Sequence, residues 1–207
     1  MESLFVYLWA VRGYFSDSLL AGLLVSIGCR SGSSRALPTN DDKENLSSAT
    51  GSAQPVDKGG IVYASYSKGS YSGELYVIND DGSEQMRLTY NEADDYNPAW
   101  SPDGCEIAFS SNRDGLTRVY IMNADGSQVH RLTNLQGISE GNPAWSSDKK
   151  RIAFQATTVD GYGKTTLQLV DLASGEIREL VDSEYVPQFP IWSPDSQFVW
   201  FASFKDR

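Results

Sequence analysis

A tryptophan-centred motif occurs three times in this 207-residue chain, and it constrains the fold more than any other feature. The copies are PAWSPDGCEIAFSSNRDG from Pro98, PAWSSDKKRIAFQATTVDG from Pro143 and PIWSPDSQFVWFASFKDR from Pro190. Consecutive tryptophans of the three copies are 45 and 47 residues apart. A period of about 40 to 50 residues is typical of β-propellers and of two-helix solenoids, so the inside of one repeat must decide between them.

The second copy contains four short segments rich in β-branched and aromatic residues, namely NPAWS, EIAFSS, RVYIMN and VHRLT. Gly, Asp, Asn and Pro separate these segments, as in the turn Ser101 to Gly104, and none of the intervals leaves room for a helix. Four short antiparallel strands make one propeller blade, and a single blade cannot cover both of its own faces. We therefore predict an all-β fold, a β-propeller of four-stranded antiparallel blades.

The number of predicted strands differs between the repeats. Blades are expected at about 60–89, 96–133, 141–181 and 188–207, with three, four, four and two strands, or about three and a half blades. Because propellers close with four to eight blades, we expect the first blade to receive its inner strand from a more distant C-terminal segment, and this sequence to be a truncated propeller. Open blade edges of this kind favour self-association.

The repeat residues resemble a known family. WSPDG, the following IAFSS, the R-D-G loop, YIMNADGS and RLT are similar to the PD40 repeat, the WD40-like unit of the TolB propeller and of propellers in prolyl-oligopeptidase-type enzymes. The resemblance covers about residues 60–207 and implies the propeller fold. It leaves two functions open. One is a non-catalytic, exported propeller that binds a protein or peptide at the bacterial cell envelope. The other is the propeller domain of a serine peptidase of prolyl-oligopeptidase type whose catalytic domain is missing from this chain.

The first 59 residues are predicted to serve export and tethering. Two apolar runs, 4–11 and 19–28, are each shorter than the roughly 20 residues that a bilayer-spanning helix needs. VSIGC, ending at Cys29, resembles the lipobox of bacterial lipoproteins and implies cleavage before Cys29, lipidation of its sulfur and membrane association, with an uncleaved anchor as the alternative. Residues 30–59 have almost no large apolar side chains and are predicted to be a disordered linker.

Charge and motif content argue against several functions. Lys and Arg total 17 against 27 Asp and Glu, and a net charge of -10 repels nucleic acid. No G-x-S-x-G elbow, zinc-ligand spacing or phosphate-binding loop occurs in the sequence, so we predict no catalytic residue, cofactor or metal. The single histidine, His130, is expected to be structural or solvated. Cys105 is predicted to be a buried thiol, with a disulfide to Cys29 as the alternative.

The remaining candidate for recognition is a rim of loops. If the strand order follows that of other propellers, loops between second and third strands share one end with the loops between blades. The predicted rim and channel-mouth residues are Asp94, Asp95, Tyr96, Asn112, Arg113, Asp114, Glu140, Asp160 and Lys205.

Within that rim, Asp95-x-x-Pro98 and Glu140-x-x-Pro143 place carboxylates at equivalent positions. Repeated carboxylates would concentrate negative potential and suit a basic protein or peptide. Three alternatives are open: the carboxylates are solvated, they bind a cation, or they are held by loop backbone or by Arg113.

Overall fold

The computed structural model describes residues 60–66, 72–161, 163–181 and 185–205. This part of the chain forms strands and contains no helix that could cross a membrane. The strands are β1 (Ile61–Tyr66), β2 (Gly73–Ile78), β3 (Met86–Arg87), β4 (Asp95–Trp100), β5 (Glu106–Asp114), β6 (Leu116–Asn123), β7 (His130–Arg131), β8 (Ile138–Trp145), β9 (Arg151–Thr158), β10 (Thr165–Asp171), β11 (Ile177–Val181), β12 (Tyr185–Trp192) and β13 (Val199–Lys205).

These strands form four antiparallel sheets, which we number blades 1 to 4. Their orders are β1-β2-β3, β4-β5-β6-β7, β8-β9-β10-β11 and β12-β13. The strand numbers of the described residues are therefore three, four, four and two, as the repeats predict. The prediction of an all-β fold with four-stranded antiparallel sheets is confirmed. The export segment and linker lie outside the described residues and stay predictions.

Side-chain alternation explains why the blades stack. In blade 2, Phe109 of β5 pairs with Tyr120 of β6, while Ala108 pairs with Ile121, and all four are buried. The Phe109 face packs against blade 1 and the Ala108 face packs against blade 3. Burying each large apolar side chain contributes roughly 1.5 to 3 kcal/mol, so a central blade gains stability from both neighbours.

The repeated tryptophans lie between neighbouring blades. Trp145 shares a buried cluster with Ala99, Ala108 and other apolar side chains of blade 2. Trp100 Nε1 donates to the carbonyl of Gly60 in blade 1 at 2.9 Å, and Trp192 Nε1 donates to that of Ala144 in blade 3 at 3.0 Å. Each ring therefore adds buried apolar area, and two of the three also form a directional bond to the preceding blade.

The first strands of blades 2, 3 and 4 begin at residues 95, 138 and 185, before the predicted starts at 96, 141 and 188. A β-bulge in each strand accounts for the difference, with register shifts between Tyr96 and Ala99, Gly141 and Ala144, and Gln188 and Ile191. Each bulge contains a proline, which cannot donate to the ladder. Pairing therefore continues on both sides of the proline.

The turn that follows each tryptophan has one repeated design. Ser101 Oγ donates to Asp103 Oδ1 at 2.6 Å and accepts from the Glu106 amide at 2.9 Å. Ser146 with Asp148 and Ser193 with Asp195 form the same 2.6 Å bond. Gly104 has a φ of 69°, a conformation that glycine adopts more readily than residues with a side chain.

Cys105 differs from its predicted environment. It is half-buried rather than buried, and it forms a disulfide bond rather than remaining a thiol. The other sulfur of this bond lies outside the described residues. The prediction of a buried free thiol was wrong because Cys105 lies in the turn just before β5 begins at Glu106, and not inside the strand.

Candidate functional site

The two kinds of loop that were predicted to share a rim are joined by hydrogen bonds. In blade 2, the Asp94 amide donates to Asn112 Oδ1 at 2.9 Å, which links the loop before β4 to the β5–β6 hairpin. In blade 3, the Val159 amide donates to the Gly137 carbonyl at 3.0 Å, which links the corresponding loops. These loops therefore form one surface, which we call the rim.

Asp95 lies at the rim but is not exposed. Its side chain is 0% accessible, and Arg113 Nη2 lies 3.0 and 3.2 Å from its two oxygens. Asn91 Nδ2 donates to Oδ2 at 2.7 Å. The Arg113 guanidinium also packs over the rings of Tyr120 and Phe109, at 4.6 and 5.2 Å from their centroids. Asp95 is thus the buried member of an ion pair inside blade 2, and its partner Arg113 is 24% accessible.

Glu140, the equivalent residue of blade 3, is also buried, with a side-chain exposure of 0%. Its Oε1 lies 3.5 Å from Nη1 of Arg118, and its Oε2 accepts from the Val119 amide at 3.3 Å. Arg118 lies on β6, so this ion pair crosses from blade 3 to blade 2. Sequence reasoning missed Arg118, although a charged residue in the apolar segment RVYIM was a signal for a buried partner.

Other predicted rim residues are more accessible. Asn112, Asp114 and Asp160 are exposed, and Asp94 and Tyr96 are half-buried. Asp94 Oδ1 accepts from the Gly73 amide at 2.7 Å, and Tyr96 Oη donates to Thr117 Oγ1 at 3.2 Å. Lys205 ends β13, and its side chain lies outside the described residues.

Asp114 is tied to a buried tyrosine. Tyr120 Oη donates to Asp114 Oδ2, and burial together with this hydrogen bond raises the pKa of Tyr120 to about 12. The phenol therefore stays protonated at neutral pH and acts as a donor.

Two exposed tyrosines at the rim were not predicted. Tyr66 ends β1 and is 54% accessible, and Tyr90 follows β3 and is 73% accessible. Partial burial and the nearby Asp94 carboxylate raise the pKa of Tyr66. Tyr90 lies against Arg87, whose guanidinium carbon is 4.7 Å from the ring centroid. Exposed tyrosines are enriched in protein-binding surfaces, because the ring is apolar and the hydroxyl is polar.

A second surface is formed by the bulges of the first strands. Strands β4, β8 and β12 are each the edge of their sheet, and Asn97 of β4 donates through Nδ2 to Asn142 Oδ1 of β8. Asn142 in turn donates to Gln155 Oε1 at 2.6 Å. Asn97, Asn142 and Phe189 occupy equivalent positions with φ of 49°, 51° and 51°. Positive φ is uncommon for a residue other than glycine or asparagine, so the phenylalanine stands out.

Comparison with known proteins identifies the family. The sequence model of the PD40 family, the TolB β-propeller domain, matches residues 49–207. The chain belongs to the PD40 TolB β-propeller family. A TolB structure from Acinetobacter baumannii superimposes with a TM-score of 0.60 at 20% identity, covering 70% of this chain and 35% of that one. At this level of identity the likeness shows the fold alone.

Three curated relatives are similar to this PD40 propeller over only part of their own lengths. An uncharacterized protein of Agrobacterium fabrum is 30% identical over 59% of this chain and 44% of its own length. YuxL of Bacillus subtilis, an uncharacterized peptidase, is 27% identical over 66% of this chain and 26% of its own. The Tol-Pal system protein TolB of Francisella tularensis is 30% identical over 58% of this chain and 26% of its own. The chain thus spans less than half of each relative.

Chemistry at the described residues gives little support for catalysis. His130 is exposed on β7, where its Nδ1 contacts the Gln128 carbonyl at 3.0 Å. Within the described ranges, no group of three or more His, Cys, Asp or Glu side chains is placed to hold a metal ion. What the PD40 propeller presents there is a polar and aromatic rim around buried ion pairs.

Proposed function

We propose that this PD40 propeller is a non-catalytic, exported scaffold that binds a protein or peptide at the bacterial cell envelope through its rim. The observation that carries this proposal is the exposure of Tyr66 and Tyr90 at the rim, where Tyr66 lies near the Asp94 carboxylate. Such a surface offers apolar contact area and hydrogen bonding without any catalytic group. The TolB relative supports the envelope setting, since its name assigns it to the Tol-Pal system.

The partner that fits this rim is a basic segment. Asp114 and Asp160 are exposed there, and the whole chain carries a net charge of -10. Carboxylates attract Lys and Arg side chains, and tyrosine rings bind cations on their faces. Asp95 and Glu140 do not contribute to this surface directly, because both are buried against arginines.

Export and anchoring belong to the same proposal. Cleavage before Cys29 and lipidation of its sulfur would place the propeller at a membrane surface, behind the linker of residues 30–59. A lipid thioether and a disulfide both use the sulfur. Cys105 forms a disulfide and the sequence has only one other cysteine, so lipidation of Cys29 and a disulfide to Cys105 are alternatives within one chain. Mass spectrometry of the membrane-bound protein distinguishes the two forms, and a Cys29→Ala variant should leave the membrane fraction. An unchanged membrane pool would support the uncleaved anchor.

Self-association through open blade edges is the second interaction that we propose. Ile191, Phe198 and Trp200 of blade 4 are 56%, 64% and 52% accessible. Ile191 and Trp200 pair across β12 and β13, so they form one apolar surface. Large exposed apolar patches favour association. Sedimentation of this chain tests the idea, and a monomer at all concentrations would contradict it.

The rim proposal is tested by site-specific crosslinking. A photoreactive phenylalanine analogue replaces Tyr90 or Asn112 in the rim, with Asp80 at the exposed β2–β3 turn as the matched control. We expect the same envelope protein to be captured from both rim positions and not from position 80. Capture should decrease at high salt and in an Asp114→Asn, Asp160→Asn variant, because exposed charges steer association. Equal capture at all three positions would contradict the proposal.

A second function has one observation in its favour. The peptidase YuxL is similar to 66% of this chain, so the propeller of a serine peptidase is the alternative. The reading frame beyond Arg207 separates the two functions. Further WSPDG repeats followed by a stop codon favour the binding scaffold, whereas a G-x-S-x-G elbow followed by Asp and His favours the peptidase.

A further inference from the structure

Blade 1 contains a carboxylate bound by an arginine and a threonine. Arg87 Nη2 lies 2.7 Å from Glu74 Oε1, and Thr89 Oγ1 donates to Glu74 Oε2 at 2.6 Å. Arg87 Nε donates to the Thr89 carbonyl at 2.6 Å, which holds the guanidinium beside the hydroxyl. Glu74 and Thr89 are 8% and 5% accessible, so this carboxylate is bound away from water.

Blade 2 repeats the binding residues but not the carboxylate. Arg131 and Thr133 correspond to Arg87 and Thr89, because Arg131 pairs with Tyr120 on β6 as Arg87 pairs with Tyr76 on β2. The position of Glu74, two residues before that tyrosine, is occupied by Arg118. A cation therefore stands where blade 1 supplies an anion.

Arg118 does not bind the residues of its own blade in place of Glu74. Its guanidinium turns to blade 3, where it contacts Glu140 at 3.5 Å and donates to the Ile138 carbonyl. Glu140 Oε2 thus accepts from the Val119 amide, whereas Oε1 has the 3.5 Å ion-pair contact with Arg118 and no hydrogen bond.

The result is a set of buried donors without an acceptor. Among the described residues, Arg131 Nε, Arg131 Nη2 and Thr133 Oγ1 are buried and have no hydrogen-bond partner. Thr133 is only 6% accessible. The other guanidinium nitrogen, Arg131 Nη1, lies 3.9 Å from Asp114 Oδ2, so Asp114 occupies a different edge of the guanidinium. Leaving donors of this kind buried and unpaired costs free energy, and binding an acceptor recovers it.

We propose that Arg131 and Thr133 form a binding site for a carboxylate that comes from outside blade 2. We call this pair the RT site. Its ligand is the chemical group that Glu74 supplies internally in blade 1. The Arg131 side chain is 26% accessible but its unpaired Nε and Nη2 are buried, so a ligand reaches them only when the guanidinium moves. A small free carboxylate and the carboxylate of a protein chain share this chemistry. The inference is separate from the rim proposal, because it needs no basic partner.

Thermal unfolding of the full chain in acetate tests the site. Sodium acetate is compared with sodium chloride at equal ionic strength, so that charge screening is the same in both, and the saturation of the effect separates binding from ion-specific effects on stability. We expect acetate to raise the melting temperature in a saturable way, since a ligand that binds the folded state stabilises it. In Thr133→Val and in Arg131→Met, the concentration that gives half of the effect should rise about tenfold or more. Equal melting temperatures in acetate and chloride for the unmodified chain would overturn the proposal.

Two further variants keep the test independent of general destabilisation. Thr89→Val weakens the internal site of blade 1 and should leave the acetate dependence unchanged. Arg118→Glu combined with Glu140→Gln places a carboxylate beside Arg131 and Thr133, as in blade 1, and should abolish the acetate effect although both RT-site residues remain. If this double variant still responds to acetate as the unmodified chain does, the RT site is not where acetate binds.

The source of the natural carboxylate is distinguished with peptides. A short peptide with a free C-terminal carboxylate is compared with the same peptide amidated at its C-terminus, and with acetate. Tighter binding of the free peptide than of acetate indicates a protein ligand, and equal binding indicates a small carboxylate. Binding of the amidated peptide as tightly as the free one would contradict carboxylate recognition.

Discussion

The interfaces on the two sides of blade 2 pair their buried carboxylates with arginines in different ways. Between blades 1 and 2, Glu74 and Asp95 each bind an arginine of their own blade, Arg87 and Arg113. Between blades 2 and 3, Arg118 occupies the position of Glu74 and binds Glu140 across the interface. The first arrangement closes each ion pair within a blade, and the second joins two blades.

The third interface carries no charge at these positions. Thr166 of β10 stands at the position of Arg118, and Pro187 of β12 at that of Glu140, and both are buried. The residue at equivalent positions of β2, β6 and β10, namely Glu74, Arg118 or Thr166, therefore decides which polar contacts each blade makes with the next. The repeated motif specifies the strands within each blade, but the residue at this position specifies the polar contacts between blades.

The largest effect should follow from breaking the ion pair that crosses the interface. Arg118→Met leaves the Glu140 carboxylate buried without its cation, and we expect a loss of about 3 to 5 kcal/mol in the free energy of unfolding. Arg118→Met with Glu140→Leu removes both charges and should recover most of that loss, since a buried pair contributes little more than an apolar replacement. Urea unfolding measures both variants. Equal losses in the single and double variants would show that the pair does not couple the blades.

A somewhat smaller effect is expected inside blade 2. Arg113→Ala removes the cation beside Asp95, but Asn91 continues to donate to that carboxylate, so we expect a loss of about 2 to 3 kcal/mol. Arg178→Ala, at an exposed position of β11, is the matched control and should change stability by less than about 0.5 kcal/mol. The same measurement tests the rim prediction. Asp95→Asn with Glu140→Gln should lower the melting temperature, and unchanged stability with weakened binding would instead restore both residues to a recognition role.

The repeats and the polar interface contacts were not equally predictable from the sequence. Turn residues such as Gly104 and the spacing of the tryptophans identify the strands and their number, because turns and alternation are local properties. The burial of Asp95 and Glu140 was not predicted, since an acidic side chain next to a loop is expected to be exposed when a single repeat is considered alone. Their partners lie 18 and 22 residues away in sequence, and only the stacking of blades shows which charges meet.

The bulges on the first strands of blades 2, 3 and 4 place different residues at the same backbone conformation. Asn97 and Asn142 tolerate positive φ, whereas Phe189 at the equivalent position is strained. Phe189→Asn should therefore stabilise the chain by about 0.5 to 1 kcal/mol, and Asn97→Phe should destabilise it by a similar amount. Urea unfolding of the two variants tests this. Destabilisation by Phe189→Asn would indicate that contacts of the ring outweigh the backbone strain.

Alkaline pH should weaken the packing of blade 2 against blade 1 through Tyr120. Its pKa is raised to about 12 in the folded chain, from an ordinary value of 10.0. A raised pKa contributes stability that is complete below pH 10 and is lost as the pH rises toward 12. Tyr120→Phe removes this dependence, so its stability should fall less than that of the unmodified chain over that range. Parallel curves for the two proteins would contradict the assignment.

The smallest effect concerns the repeated turns, where Asp103 and Asp195 occupy equivalent positions with different partners. Partial burial alone would raise the pKa of Asp103, but hydrogen bonds from Lys149 and Ser101 outweigh it and hold the pKa below its ordinary value. Asp195 has its pKa lowered by Ser193 and the Gln197 amide, without a cation. A lowered carboxyl pKa contributes stability above its unfolded value of 3.8 that is lost as the pH falls through the folded value. Both Asp→Asn variants should therefore flatten the acid side of the stability curve.

The two turns should differ in how the cost of their Asp→Asn substitutions depends on salt. Lys149 Nζ lies 2.6 Å from Asp103 Oδ2, and this partly exposed bridge joins blade 3 to blade 2. We expect Asp103→Asn to cost under about 1 kcal/mol at neutral pH, and this cost to decrease with added salt because exposed pairs are screened. The cost of Asp195→Asn should not depend on salt, since hydrogen bonds from a hydroxyl and an amide carry no net charge. Burial alone would lower the pKa of Lys149, but hydrogen bonds to Asp103 and Glu106 outweigh it and raise the pKa. The bridge therefore continues to contribute stability at alkaline pH. Equal salt dependence of the two variants would mean that the bridge between blades 2 and 3 contributes nothing beyond the turn itself.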